Sequence, residues 1–320
     1  MTFPVHSRSP NRNDAGHLGR REVVVSAAIL ATLPARATAN ITIIDQDLAY
    51  PEGPLLIGDE LFVADMLANR LVVYDANRLV RKRTIILNSC GPTSIAQYGN
   101  NQLLVLCHTS GGLALLNNRE ELVASILQTS DGTSIRYPND SVSDGRGGVF
   151  LSNAGIFSLQ APATGSVVHV SAHGANIIVK GLRYSNGIAF QTQPRRIFVS
   201  EHLANRILEF DLDPNLRVTS RRVFFNLSSL PQPNVPRYDQ MGPDGLELLG
   251  NGDLLAAQYG AGRFIRISAR GDLKEITQVP CQFITNITRH RDDVFFVGAY
   301  DLSVLQVRGI LGKVPIVDRI

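Results

Sequence analysis

A chain of 320 residues with 44% hydrophobic and 18% charged residues is too apolar for intrinsic disorder and long enough for one large domain or two ordinary ones. Three cysteines cannot build a disulfide scaffold, so a buried core must hold the fold, and no stretch approaches the roughly 18 apolar residues of a membrane-spanning helix. The formal charge of +3 resides wholly in residues 1–39; the remainder balances 26 basic against 26 acidic groups and lacks the electrostatic footprint of a nucleic-acid binder.

The amino-terminal segment reads as an address. A polar stretch holding Arg8 and Arg12 ends in Arg20-Arg21, an apolar run follows from Val23 to Leu33, and Ala37-Thr38-Ala39 forms a small-x-small cleavage site. The paired arginines resemble a bacterial twin-arginine signal, although Glu22-Val23-Val24 departs from the usual continuation. Residues 1–39 are therefore expected to direct export, and residues 40–320 to work as a single domain in the periplasm or outside the cell.

From residue 40 onward the chain repeats itself. Ile41-Thr42-Ile43-Ile44 is a short strand without an obvious neighbour. After it, Leu67-Ala68-Asn69-Arg70-Leu71-Val72-Val73-Tyr74-Asp75 recurs as Leu203-Ala204-Asn205-Arg206-Ile207-Leu208-Glu209-Phe210-Asp211. Six polar breaks precede apolar strand pairs: Tyr50-Pro51-Glu52-Gly53, Gly91-Pro92-Thr93-Ser94, Tyr137-Pro138-Asn139-Asp140, Tyr184-Ser185-Asn186-Gly187, Gly242-Pro243-Asp244-Gly245 and Ile284-Thr285-Asn286-Ile287. With the third residue of each as anchor, the spacings are 41, 46, 47, 58 and 42, the length of a four-stranded propeller blade. The long interval contains an insertion, Ser228 to Gln240.

Within each unit an apolar strand follows the anchor: Leu61–Ala64, Leu103–Cys107, Val149–Ser152, Ile197–Ser200, Leu254–Ala257 and Val294–Val297. Tight Gly, Asn and Asp turns separate such strands, and no segment sustains a 3.6-residue period. The expected fold is all-β, a six-bladed β-propeller of four-stranded blades. The last unit, whose third strand is expected at Leu302–Val307, lacks an outer strand; the amino-terminal strand is expected to close it and so remove the exposed edges at the seam.

In such a ring the anchors begin the innermost strands and converge on the central channel. Glu52, Thr93, Asn139, Asn186, Asp244 and Asn286 then form a hard, oxygen-rich site suited to Ca²⁺, with Mg²⁺, Mn²⁺ or Zn²⁺ as alternatives. Asn and Asp beside Gly are also ordinary turn residues, but Glu52 between Pro51 and Gly53 is not.

Pro51-Glu52-Gly53, Pro138-Asn139-Asp140, Ser185-Asn186-Gly187 and Pro243-Asp244-Gly245, with the Asn205-Arg206-Ile207 strand, resemble the gluconolactonase, regucalcin and senescence-marker-protein family of six-bladed propellers. The resemblance implies Glu52, Asn186 and Asp244 as metal ligands, Asn139 at the metal or on the substrate, and Asp244 as general base for water attacking a lactone. Sugar-lactone members carry Arg two residues before the blade-three Asn; here Tyr137 stands there, with Arg136 one further away. An acidic residue after the following strand is also missing from Ser152-Asn153-Ala154-Gly155-Ile156-Phe157. A less polar lactone is therefore expected, with Arg136, Tyr137, Asn139 and His202 as substrate contacts and Tyr184 and Tyr259 as candidate wall residues.

His108 has a weaker claim on the pocket, and Cys90, Cys107 and Cys281 read as small buried apolar residues. Asn226-Leu227-Ser228 and Asn286-Ile287-Thr288 match glycosylation acceptors, a reading that a bacterial export signal disfavours. The expected function is an exported metal-dependent lactonase acting on a small molecule as a monomer or weak oligomer. A metal-dependent isomerase or cyclase, and a calcium-stabilised binding propeller without turnover, are the alternatives.

Overall fold

The computed structural model describes residues 41–303 and 306–315. Six four-stranded antiparallel sheets make a six-bladed β-propeller. The innermost strands of blades one to six are Pro51–Ile57, Pro92–Tyr98, Pro138–Ser143, Ser185–Gln191, Gly242–Leu248 and Phe283–His290, each packed beside the next around the channel. The apolar strands expected after the anchors are the second strands of their blades, for example Glu60–Asp65 and Arg196–Glu201.

These second strands are nearly continuous apolar runs because both of their faces are covered. The core is accordingly divided into layers between blades. Phe62, Leu71, Ile95 and Val105 join blades one and two, and Phe150, Val167, Ile197 and Phe210 join blades three and four. Outermost strands have no sheet beyond them and read differently; Leu122, Val123, Ala124 and Ser125 of blade two are all exposed.

The amino-terminal strand Thr42–Leu48 closes blade six by pairing with its third strand, Gln306–Pro315, with Thr42 opposite Lys313 and Leu48 opposite Gly309. Asp45 fastens this seam to blade one, accepting hydrogen bonds from Tyr74 Oη at 2.7 Å and Arg81 Nη2 at 2.7 Å. Beneath it Leu48, Leu61, Val63, Val297 and Leu311 pack together. The segment expected as a third strand is instead divided between two strands: Leu302 and Ser303 end the second strand of blade six, where they pair with Val307 and Gln306 of the third.

Each innermost strand carries a β-bulge at its anchor. Between Glu52 and Leu55 the inner strand advances three residues while its partner advances two, from Ala64 to Phe62. The same extra residue falls between Pro138 and Ser141, Ser185 and Ile188, and Pro243 and Leu246. Shorter bulges lie between Pro92 and Ser94 and between Ile284 and Asn286. A bulge bends the strand and re-aims a side chain, and here it brings the anchors to one end of the channel.

The bulge register also corrects the sixth anchor. Thr285, not Asn286, holds the position of Thr93: Thr285 Oγ1 donates to the Pro51 carbonyl at 2.7 Å, as Thr93 Oγ1 donates to the Pro138 carbonyl at 3.1 Å. Asn286 lines the other part of the channel. A one-residue slip in a strand turns a side chain to the opposite face, and blade six lacks the Pro or Gly that marks the anchor elsewhere.

Cys90 and Cys107 are buried as expected but joined in a disulfide, while Cys281 is free and buried. The bond ties the chain entering blade two to the end of its second strand. Residues 1–40, including the expected export signal and cleavage site, lie outside the described residues. Among the described residues no helix is long and apolar enough to cross a membrane.

Candidate functional site

The anchors open into a cavity of about 120 Å³ at one end of the channel, lined by Glu52, Thr93, Asn139, Asn186 and Asp244. All five side chains belong to the oxygen-bearing set that the sequence pattern singles out, and each is no more than 6% exposed. The backbone just before the anchors is strained in two blades. Tyr50 and Tyr184 adopt left-handed φ values of 67° and 60°, which bulky residues rarely do, and both line the cavity. At the corresponding place in blade two stands Gly91, also left-handed.

A recurring hydrogen bond sets the remaining wall. In blades one, two and four the carbonyl before the inner strand accepts from a backbone N–H just past the second strand: Met66 to Tyr50 at 3.1 Å, His108 to Gly91 at 3.0 Å and His202 to Tyr184 at 3.0 Å. This aligns Met66, His108 and His202, and all three line the cavity. His202 is only 1% exposed. The ring nitrogen Nε2 meets the Gln240 carbonyl at 2.9 Å; because a carbonyl can only accept, Nε2 carries the hydrogen. Burial drives the imidazole pKa down to about 4, against the opposing pull of the Gln240 and Pro243 carbonyls, so the ring is neutral near pH 7.

Aromatic rings enclose the oxygens. The Phe157 ring packs tilted at 4.8 Å from Tyr184 and edge-on at 5.3 Å from His202, and His202 lies 5.7 Å from Tyr259. Tyr50 Oη donates to Tyr259 Oη at 3.1 Å. The insertion before blade five straps this wall: Tyr238 packs on Tyr259 and Phe283, Gln240 reaches the Phe157 carbonyl at 3.4 Å, and Gln282 holds the Pro236 carbonyl at 2.8 Å. Of the expected substrate contacts, Asn139 and His202 line the cavity, whereas Arg136 and Tyr137 are exposed outside it, with Tyr137 5.7 Å from the ring of His108. Phe157, Met66 and Tyr50 were not anticipated. Phe157 comes from a loop with no repeat signature, but Met66 and His202 share one place in the duplicated strand-turn segment, a signal that aligning the repeats reveals.

Electrostatically the cavity is an acidic site without a counterion. Burial first and then Asp140 push the Glu52 carboxyl well above the usual carboxylate range; burial, Glu52 and Asp140 do the same for Asp244. Among the described residues no Lys or Arg lines the cavity. Among the described residues no three His, Cys, Asp or Glu side chains converge closely enough to hold a metal by themselves, so a cation here depends on the amide oxygens of Asn139 and Asn186. Asn186 Oδ1 and Asp244 Oδ1 are buried with no hydrogen-bond partner. Two unpaired buried oxygens among carboxylates lacking a basic partner are the donor set that a hard divalent cation satisfies.

Residues 50–296 match the family model described as the SMP-30/Gluconolactonase/LRE-like region. The chain belongs to this family. Among curated relatives, the lactonase drp35 of Staphylococcus aureus is 25% identical over 222 residues, covering 66% of this chain and 64% of that protein. The drp35 lactonase of Staphylococcus epidermidis is 24% identical over 224 residues, with the same coverage. The matched stretch thus spans a little under two-thirds of these relatives. Among solved structures, a gluconolactonase of Xanthomonas campestris superposes with TM-score 0.69 at 18% identity over 87% of this chain and 89% of its own. A calcium-binding regucalcin of Agrobacterium tumefaciens gives 0.68 at 17% over 88% and 96%. At these identities the structures establish the propeller fold of this family member and nothing finer.

Proposed function

We propose that this member of the SMP-30/gluconolactonase/LRE-like family is an exported, metal-dependent lactonase that opens an uncharged, largely apolar lactone. The observation that carries the reading is the pair of orphaned oxygens, Asn186 Oδ1 and Asp244 Oδ1, beside Glu52 in a cavity that no Lys or Arg among the described residues lines. Glu52, Asn139, Asn186 and Asp244 would hold a divalent cation, Ca²⁺ first by donor chemistry, which supplies Lewis-acid polarisation of the lactone carbonyl.

The residues divide the remaining work. Asp244, with one carboxylate oxygen free of protein partners, accepts the proton of the attacking water. Phe157, Tyr184 and Tyr259 surround the body of the substrate and exclude water. Among the described residues the lining holds Glu52 and Asp244 but no Lys or Arg, and Arg136 lies outside it, which argues against a substrate carrying a carboxylate or phosphate. Export is supported by the paired arginines and by the Cys90–Cys107 disulfide, which an oxidising compartment maintains.

The test is acid release by the purified protein from a panel of sugar and aromatic lactones, with Ca²⁺, Mn²⁺ or Zn²⁺ added and after chelation. Metal-dependent acid release, faster from the aromatic rings, is the expected outcome. A product of unchanged mass would instead identify an isomerase or cyclase. Bound cation without turnover of any lactone would leave a binding propeller.

A further inference from the structure

A cavity of about 610 Å³ opens on the opposite face of the propeller, where the inner strands end. Its walls come from turns of three neighbouring blades: Gly99 after the inner strand of blade two, Asp144 to Gly148 in blade three, and Arg195 in blade four. These turns hold one another, since the Gly99 amide donates to the Gly147 carbonyl at 3.0 Å. The volume is that of a small-molecule site.

The charges in the lining are unequal. Among the described residues its one carboxylate is Asp144, which is fully engaged. Oδ1 accepts from the Arg146 and Gly148 amides at 2.7 and 2.9 Å, and Oδ2 meets His169 Nε2 at 2.9 Å. Against it stand the guanidinium groups of Arg146 and Arg195 and the imidazole of His173. Arg195 is half-buried, yet among the described residues its guanidinium has no hydrogen-bond or ion-pair partner. Every other buried or half-buried arginine among them has one: Arg196, next in the chain, donates to Asp211 at 2.8 Å, and Arg263 to Gln258 at 2.8 Å. A guanidinium partly withdrawn from water is served by an acceptor, and its planar fork of donors matches a carboxylate or a phosphate. Phe190, Pro214 and Leu216 add an apolar wall to the same cavity.

We propose that this cavity is a second ligand site, which binds a small organic anion. The carboxylate or phosphate of the ligand meets the guanidinium groups of Arg195 and Arg146, and its apolar body lies against Phe190 and Leu216. The inference is independent of the hydrolase reading. The two sites divide ligands by charge: the acidic end of the channel suits an uncharged molecule with a cation, and the opposite face suits the anion.

The experiment is calorimetric titration with phenyl phosphate, 3-phenylpropanoate and the uncharged 3-phenylpropan-1-ol. Chelator is present, so that no cation in the channel attracts the anions. The wild type is expected to bind at least one of the two anions saturably and at least about tenfold more tightly than the alcohol. The tighter anion identifies the recognised group as phosphate or carboxylate. R195Q is expected to weaken that binding about tenfold, and R195K, which keeps the charge but not the fork, to lie between it and the wild type. R146Q, at the exposed side of the cavity, is expected to weaken it about threefold. Without ligand, R195Q should melt within about 2 °C of the wild type, because Arg195 serves no protein partner. No saturable anion binding, equal binding of the alcohol, or an unchanged affinity in both R195Q and R146Q overturns the proposal. A melting temperature several degrees lower in R195Q overturns it as well, by giving Arg195 a structural role.

Discussion

The two halves of the central channel are built from the same six strands and hold the same kind of residue, yet they treat buried carboxylates in opposite ways. At the far end Asp140 is fully served. Its Oδ1 accepts from Ser94 Oγ at 3.1 Å and from the Ser141 amide at 2.9 Å, its Oδ2 accepts from the Ile188 amide at 3.1 Å, and Asn286 bonds it from across the channel. At the near end Asp244 keeps an unpartnered oxygen, and so does its neighbour Asn186. A buried acid surrounded by protein donors is a structural staple, here joining blades two, three, four and six. A buried acid left open is costly unless something else completes it, and that contrast marks which end of the channel receives a ligand.

The largest effect should come from the open end. D244A is expected to reduce lactone turnover by roughly 10³-fold, and E52Q to weaken cation binding at least tenfold by titration calorimetry; an active D244A protein would remove Asp244 from the chemistry. Asp140 should respond in the other currency. D140A leaves two backbone amides and two side-chain donors of the channel unserved, and thermal unfolding should show a loss of about 3–5 kcal/mol. Stability unchanged in D140A would abolish the distinction between staple and site.

The pH dependence sharpens the same contrast. Glu52 and Asp244 are raised, Asp140 is raised to about 6 and Glu247 to about 8, each chiefly by burial. The folded protein therefore keeps protons that the unfolded chain releases above about pH 4, and stability must fall as pH rises through these folded-state values. With chelator present the melting temperature should decline from pH 5 to pH 8. Excess Ca²⁺ should flatten much of that decline, because the cation replaces the protons of Glu52 and Asp244, whereas an equal slope with and without cation would argue against binding there. The smallest effect belongs to Glu247, half-buried at the far end. E247Q should melt about 2–4 °C higher than wild type at pH 8 and nearly unchanged at pH 5, since the cost of ionising the carboxyl exists only at the higher pH.

Repeat spacing made the propeller legible. Anchors separated by 41 to 58 residues, each followed by an apolar strand, leave little besides a ring of blades, and the unpartnered Ile41–Ile44 strand had one edge to fill. Glu52, Asn139, Asn186 and Asp244 were legible for the same reason, because a repeated place in a repeated blade converges on the axis. The sixth anchor was not. Only the pairing of Ile284 with Gly298 and Asn286 with Val297 shows where the extra residue lies, and so that Thr285 faces the anchor ring.

Local sequence carries strand period, turn chemistry and blade length, and these alone determine the all-β architecture and the inward-facing acidic positions. It carries no information about which loops from different blades lean over the channel. That Phe157 and the Ser228–Gln240 insertion meet above the site, that the Gln240 carbonyl orients His202, that Arg136 stays outside, and that Cys90 reaches Cys107 were decided by tertiary structure. Each of these depends on contacts between chain segments whose closeness no local pattern encodes, and the division between a satisfied Asp140 and an open Asp244 is of the same kind.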